Sequence, residues 1–175
     1  NYEIDEKTKN EELIKLAKIL VLNPKECSGC RTCEVVCSLV HVGTCNPARS
    51  GINIWEKDSI DVPIFCLQCE EPRAYCQDIC PLNAISRNQD TGALIIDKSK
   101  CTGCSLCVGA CPYKAISIDP VQKVAVKCDL CKGDAACVRF CPEGALEYIE
   151  PDEARKKTTR QIMGIVSLSN KEVSR

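Results

Sequence analysis

Apolar residues in this chain recur at helical spacing near its start and then only as short bursts. Over residues 11–22, Leu13, Leu16, Ala17, Leu20 and Val21 fall on one helical face, and Asn23-Pro24 follows as a stop. A helix over 11–22 is therefore expected. Further along, the bursts are three to five residues long: Ile52-Asn53-Ile54-Trp55, then 93–97, 124–126 and 146–149. They are too short for helices and read as strands. Asp90-Thr91-Gly92 supplies a turn just before Ala93, so a hairpin is expected there. Residues 152–160 predict a short helix, and the tail 161–168 is apolar at nearly every position.

These bursts cannot build an ordinary core. Hydrophobic residues make up 45% of the 175, but 17 of them are cysteine, and aromatics are only 4%. A chain of this length normally needs a larger apolar interior. Disulfides or metal must supply the missing cohesion. Lys and Arg number 23 against 24 Asp and Glu, for a net charge of −1. No basic excess is available to hold a phosphate backbone, which argues against nucleic-acid binding. No apolar stretch reaches the length of a membrane span. The acidic start, Asn1-Tyr2-Glu3-Ile4-Asp5-Glu6, has no signal-type apolar run. A cytoplasmic setting, where thiols stay reduced, is expected.

The cysteines fall into four groups of four with one left over. Group one is Cys27, Cys30, Cys33 and Cys37. Group two is Cys66, Cys69, Cys76 and Cys80. Group three is Cys101, Cys104, Cys107 and Cys111. Group four is Cys128, Cys131, Cys137 and Cys141, and Cys45 stands alone. Group three has the two-two-three spacing, then Pro, of a bacterial run that holds a cubane iron–sulfur cluster. Three closely stepped thiolates let one loop wrap three corners of a cube. Gly103 relaxes the backbone where it passes nearby, and loop N–H groups can point at sulfur. The last step sends the fourth thiolate along a helix to a different cluster.

Other chemistries fit less well. Zinc ribbons need two cysteine pairs, not three stepped cysteines and a fourth. A disulfide framework needs export and usually an even count. The radical-type spacing would need cysteine at Val40, Asn83, Lys114 and Gly144. Rieske ligation needs two histidines, and His41 is the only one.

The groups form an internal repeat. Three continue into one hexapeptide: Cys80-Pro81-Leu82-Asn83-Ala84-Ile85, Cys111-Pro112-Tyr113-Lys114-Ala115-Ile116 and Cys141-Pro142-Glu143-Gly144-Ala145-Leu146. The Ala and the Ile or Leu are expected to close a helical turn and pack against a cluster. Group one departs, with Ser38 in place of Pro. The hairpin pattern between groups two and three pairs them as an inner module, residues 63–120. Groups one and four then form an outer module, 23–62 with 121–150, flanked by a helical extension, 1–22, and a docking tail, 151–175. The fourth-cysteine exchange predicts four ligand sets: Cys27, Cys30, Cys33 with Cys141; Cys128, Cys131, Cys137 with Cys37; Cys66, Cys69, Cys76 with Cys111; and Cys101, Cys104, Cys107 with Cys80. Tandem modules, one with two and three with four, remain the competing arrangement. His41 reads as a satisfied loop residue, with a proton site or a donor to sulfur as the alternative. Cys45 reads as an inert buried thiol.

The four-group order resembles the iron–sulfur subunits of molybdenum and tungsten oxidoreductases, of the dimethyl sulfoxide reductase and formate dehydrogenase type. That resemblance implies the one–four and two–three pairing. The segment Cys27-Ser28-Gly29-Cys30-Arg31-Thr32-Cys33-Glu34-Val35-Val36-Cys37-Ser38-Leu39-Val40-His41, with Asn46-Pro47-Ala48-Arg49-Ser50 after it, resembles the small partner of tungsten aldehyde oxidoreductases, including the benzoyl-coenzyme A reductase type of anaerobes. Lys127-Cys128-Asp129-Leu130-Cys131 matches the broader family. The expected fold is α+β: two bacterial-type ferredoxin-like modules with short antiparallel hairpins and short helices. The expected function is electron relay through four [4Fe–4S] clusters, or three should one site stay empty, with no catalytic site. The expected partners are a large pterin-bearing catalytic subunit and a further electron carrier or ferredoxin. A free polyferredoxin is the main alternative, with a structural zinc adaptor far behind. Arg31, Lys100, Lys114 and Lys127 flank ligand positions, where they either soften thiolate charge or serve solubility.

Overall fold

The computed structural model describes residues 18–57, 60–69 and 74–157. Among them, eight short strands form four two-stranded antiparallel ribbons. β1 (Ile19–Leu22) pairs with β8 (Leu146–Ile149), and β2 (Ile52–Lys57) with β3 (Ile60–Phe65). β4 (Ile85–Arg87) pairs with β5 (Leu94–Ile96), and β6 (Ser117–Ile118) with β7 (Ala125–Val126). Between them lie α1 (Thr32–Val42), α2 (Tyr75–Asp78), α3 (Leu106–Ala110), α4 (Ala136–Arg139) and a helix at 151–157. The result is an α+β arrangement of short helices and small antiparallel sheets, as the bursts predicted. The helix expected at 152–160 is present to 157; the rest of it, and the tail 161–168, lie outside the described residues.

The helix expected over 11–22 is corrected by the structure. Ile19–Leu22 is a strand in register with Leu146–Ile149, and Asn23 N–H continues the ladder to Ala145 O at 2.8 Å. A four-residue run of Ile, Leu, Val and Leu suits either period, and an available partner strand decides it. Residues 11–17 lie outside the described residues. β3 was not foreseen, because Pro63 sits inside it. A proline is tolerated there because a two-stranded ribbon has an open edge.

Two small cores hold these ribbons. The first gathers Leu20, Ile52, Ile54, Phe65, Leu130 and Leu146 around Cys33, Cys37 and Cys137. The second gathers Ile85, Leu94, Ile116 and Ala125 around Cys76 and Cys107. α1 packs on α4, and α2 on α3, so groups one and four share one core and groups two and three the other. Ala93 and Leu94 are consecutive on extended chain and so face opposite ways. Ala93 enters the first core and Leu94 the second. The expected junctions at 62–63 and 120–121 both fall within hairpins.

A buried ion pair also joins the two halves. Arg49 follows α1 in a short 3-10 turn, Pro47–Arg49. Its Nε donates to both carboxylate oxygens of Asp119, at 3.1 and 2.9 Å, across 70 residues of sequence. Asp119 also accepts from Val121 and Gln122 N–H in the β6–β7 turn. Burial pushes the Asp119 carboxyl up, but the Arg49 and turn N–H bonds outweigh it, leaving its pKa below the ordinary value. Asp119 therefore stabilises the fold above the usual carboxylate range, and that contribution is lost as pH falls through the lowered folded value. Arg49→Met is expected to cost about 3 kcal/mol, because it strands a buried carboxylate. Denaturant titration should show the loss at neutral pH, and a flatter acid limb than the wild-type chain.

Candidate iron–sulfur centres

Each cysteine group begins with a loop whose backbone is forced into an unusual shape. The residue before the second cysteine is left-handed in all four groups: Gly29 (φ 68°), Gln68 (φ 54°), Gly103 (φ 67°) and Leu130 (φ 60°). Only two of these are glycine. Holding a side chain in that region costs roughly 1–2 kcal/mol, a strain that structures keep at functional sites. The repeat was readable from Gly29 and Gly103, but its extension to Gln68 and Leu130 was not, because neither residue type signals φ above zero.

The hexapeptide that begins at the fourth cysteine of groups two, three and four is a hydrogen-bonded turn rather than the expected helical turn. Asn83, Lys114 and Gly144 are left-handed at the same repeat position. Their N–H groups return to the carbonyls of Cys80, Cys111 and Cys141 at 3.2, 3.2 and 3.3 Å. The chain then runs outward into the ribbons. Ala84, Ala115 and Ala145 are buried in this turn, as are Ile85, Ile116 and Leu146. Group one differs because Ser38 replaces the proline: α1 continues past Cys37 to Val42. The Ser38 hydroxyl donates to Val35 O at 2.9 Å and accepts from Asn46 N–H at 3.0 Å, bracing the loop that follows.

The structure brings grouped thiols together across long stretches of sequence. Cys27, Cys30, Cys33 and Cys141 line one cavity with Ile54, Pro63 and Leu146. Cys80, Cys101, Cys104 and Cys107 line another with Ile85, Ile96 and Ala125. Cys137 lies within electrostatic reach of Cys131 and Cys37, and Cys128 within reach of Cys137. Cys76 lies within reach of Cys66, Cys111 and Cys69. Cys141 thus lies with the first three cysteines of group one, and Cys80 with those of group three. Thiols of different groups also lie within electrostatic reach of one another: Cys33 of Cys137, and Cys66 of Cys128, while Cys76 and Cys107 share the second core.

Backbone amides point at the sulfurs. Gly51 N–H donates to Cys37 Sγ, Ala84 N–H to Cys80 Sγ and Ala125 N–H to Cys101 Sγ, each at 3.3 Å. Gln68 N–H reaches Cys66 Sγ at 3.5 Å. Burial pushes the Cys33 and Cys137 thiols up to about 12, and Cys76 and Cys131 up to about 11. Burial raises Cys69, Cys107 and Cys128 as well. Cys30 moves the other way, because Thr32 hydrogen-bonds its thiolate. Buried thiols of this kind stay protonated until a metal displaces the proton. Four thiols around each cavity, amides aimed at sulfur and small alanines behind them fit a cubane cluster.

The residues outside the sets need two corrections. Cys45 is exposed, not buried, and belongs to no set. His41 is in the last turn of α1 rather than in a loop, with Nε2 at 3.3 Å from Asp129 Oδ1 and 3.5 Å from Cys131 Sγ. Glu34, which sequence reasoning passed over, is buried and accepts Ile54 N–H at 2.6 Å, tying α1 to β2.

Residues 58–150 match the family described as the 4Fe-4S dicluster domain, over more than half of the chain. The chain belongs to this 4Fe-4S ferredoxin family. The match contains groups two, three and four, and group one precedes it. In Pyrococcus furiosus, the polyferredoxin-like subunit of aliphatic sulfonate oxidoreductase is 43% identical over 132 residues, covering 75% of each chain. In Aromatoleum evansii, the beta subunit of NADH-dependent phenylglyoxylate dehydrogenase is 35% identical over 134 residues. The match covers 74% of this chain but 30% of that relative. A solved structure of the active-site complex BamBC of benzoyl coenzyme A reductase matches with TM-score 0.46 at 24% identity, over 89% of this chain and 97% of that one. This ferredoxin is thus an iron–sulfur electron-transfer protein related to oxidoreductase subunits.

The ferredoxin loops differ in how tightly they are held. A Cβ on Gly103 would collide with the backbone carbonyl of Lys123, which cannot swing away. On Gly29 it would meet the side chain of Asp61, which can move. Gly103→Ala is therefore expected to distort the cavity lined by Cys80, Cys101, Cys104 and Cys107, seen as about four fewer iron atoms per chain if that cavity takes a cubane cluster. Gly29→Ala should keep most of its iron, and iron analysis after anaerobic reconstitution checks both.

Proposed function

We propose that this ferredoxin is a wire of four [4Fe–4S] clusters, held by the four thiol sets in the order in which those sets neighbour one another. The row runs from Cys27, Cys30, Cys33, Cys141 through Cys37, Cys128, Cys131, Cys137. It continues through Cys66, Cys69, Cys76, Cys111 and ends at Cys80, Cys101, Cys104, Cys107. The observation that carries this reading is the succession of thiols within electrostatic reach, Cys33 with Cys137 and Cys66 with Cys128. When bound, such clusters supply one-electron transfer at potentials set by burial, charge and hydrogen bonds to sulfur. The chain contributes spacing, the burial of each set and the N–H donors at Gly51, Gln68, Ala84 and Ala125.

On this reading the outer ferredoxin-like module, 23–62 with 121–150, carries the first two sets, and the inner module, 63–120, the last two. The chain works as a bound subunit in the cytoplasm, passing electrons between a catalytic oxidoreductase subunit and a further carrier. It has no catalytic site of its own. Exposed apolar side chains support a bound subunit over a free carrier. Leu82 and Leu106 are 45% and 48% exposed where they line the last cavity, and Tyr75 and Tyr113 are half exposed in the same half of the chain. Apolar surface of this kind marks contact with another protein. Loaded thiolate sets would make the chain more acidic, so a partner face carrying basic residues fits. The catalytic partner is proposed to carry a tungsten or molybdenum pterin, from the resemblance in residues 27–50.

Anaerobic purification of the native protein with its partners tests this. About 16 iron atoms per chain, four separable reductive signals and a co-purifying large subunit containing tungsten or molybdenum are expected. Zinc in place of iron, or iron for only two clusters, would overturn the wire. A stable monomer with no partner would overturn the bound-subunit reading in favour of a free polyferredoxin.

A further inference from the structure

Two buried polar side chains meet at the seam between the cores, and neither supplies a thiol. Gln68 lies between the first two cysteines of group two and is 8% exposed. Its amide donates to Cys128 O at 2.9 Å and accepts from Leu94 N–H at 2.8 Å. Lys127 is 7% exposed and is the one buried lysine among the described residues. Its Nζ donates to Leu94 O and to Cys128 O. Gly51 closes the other side, where a Cβ would sit 2.6 Å from the Lys127 carbonyl carbon. Gln68 and Lys127 thus grip the same two residues, from the two halves of the molecule.

That duplication decides between a latch and a charge. A neutral amide already bridges Leu94 to Cys128, so holding the halves together needs no ammonium. Burying an ammonium is costly unless opposite charge lies near. Among the described residues its hydrogen-bond partners are two neutral carbonyls, and no ion pair involves it. The negative charge near this position would be the loaded thiolate sets on either side. Lys127 favours the thiolates of both Cys76 and Cys128, which belong to the third and second sets. Lys98, Lys100, Lys114 and Lys123 are exposed, where water screens them.

We propose that Lys127 is the tuning charge at the middle of the wire: one buried ammonium, gripping Leu94 O and Cys128 O, that serves both middle thiol sets at once. A fixed cation there stabilises the more negative, reduced form on each side and raises both potentials. It also offsets the repulsion between two anionic groups that exchange an electron. Lys127 acts through the charge it presents and is a positioning residue, not a ligand.

The inference rests on the four-cluster reading, and the experiment separates the two. Full-length protein is purified anaerobically and its clusters are titrated electrochemically, with each followed by its own paramagnetic signal. A wild-type chain with fewer than four clusters sinks the wire itself. With four present, Lys127→Gln, which keeps a donor for the carbonyls, is expected to lower two of the four potentials. The expected shift is about tenfold in the one-electron equilibrium, or about 59 mV, with the other two unmoved. Lys127→Arg should restore them, and Lys98→Gln, which removes an exposed lysine, should leave all four near their wild-type values. Unmoved potentials in Lys127→Gln would overturn the proposal. So would an equal fall in all four, or the same shift in Lys98→Gln. Loss of iron in Lys127→Gln with full iron in Lys127→Arg would also count against it, because the charge would then serve assembly rather than tuning.

Discussion

The whole arrangement depends on the direction in which a helix carries a thiol. A tight loop can hold three cysteines around one cavity. The chain then enters a helical turn, and a cysteine four residues further along is lifted out of that cavity. Cys141 lines the cavity of group one, and Cys80 lines that of group three. Group one is thereby tied to group four across nearly the whole chain, with α1 packed on α4 and α2 on α3. Two thin cores suffice because the thiol cavities lie inside them.

Such loops demand backbone shapes that ordinary side chains resist. Gln68 and Leu130 accept a left-handed conformation without being glycine. Each is held by other interactions: Leu130 is almost wholly buried in the first core, and Gln68 is fixed by three hydrogen bonds. The strain is therefore supported by tertiary contacts, and in return N–H groups face sulfur. The same reasoning explains Ser38. Without proline after Cys37 the helix runs on, and a hydroxyl inside it takes over the bracing of the next loop.

The seam between the halves is built from small, specific pieces. Ala93 and Leu94 feed one core each from adjacent positions. Arg49 reaches across to Asp119, and Gln68 and Lys127 reach across between Leu94 and Cys128. Little apolar area is needed where polar groups are fully paired. The two halves are thereby joined by hydrogen bonds as well as by packing.

Much of this was legible in the chain itself. Cysteine spacing is a local property, and the two-two-three step of groups one and three points to the 4Fe-4S chemistry. The repeated hexapeptide marked where each ribbon begins, and Asp90-Thr91-Gly92 marked a hairpin. Other features had no local signature. Ile19–Leu22 suits a helix or a strand equally, and only the partner edge of Leu146–Ile149 made it β1. Pro63 hid β3, because a proline reads as a break unless one strand edge is free. Cys45 looked like a buried thiol, yet the loop after Gly43 leaves it exposed. The roles of Gln68, Lys127, Arg49 and Asp119 lie in bonds to groups up to 70 residues away, most of them backbone atoms identical in every residue. A side chain's identity states what it can donate or accept, while only the folded chain decides which carbonyl or carboxylate stands in front of it.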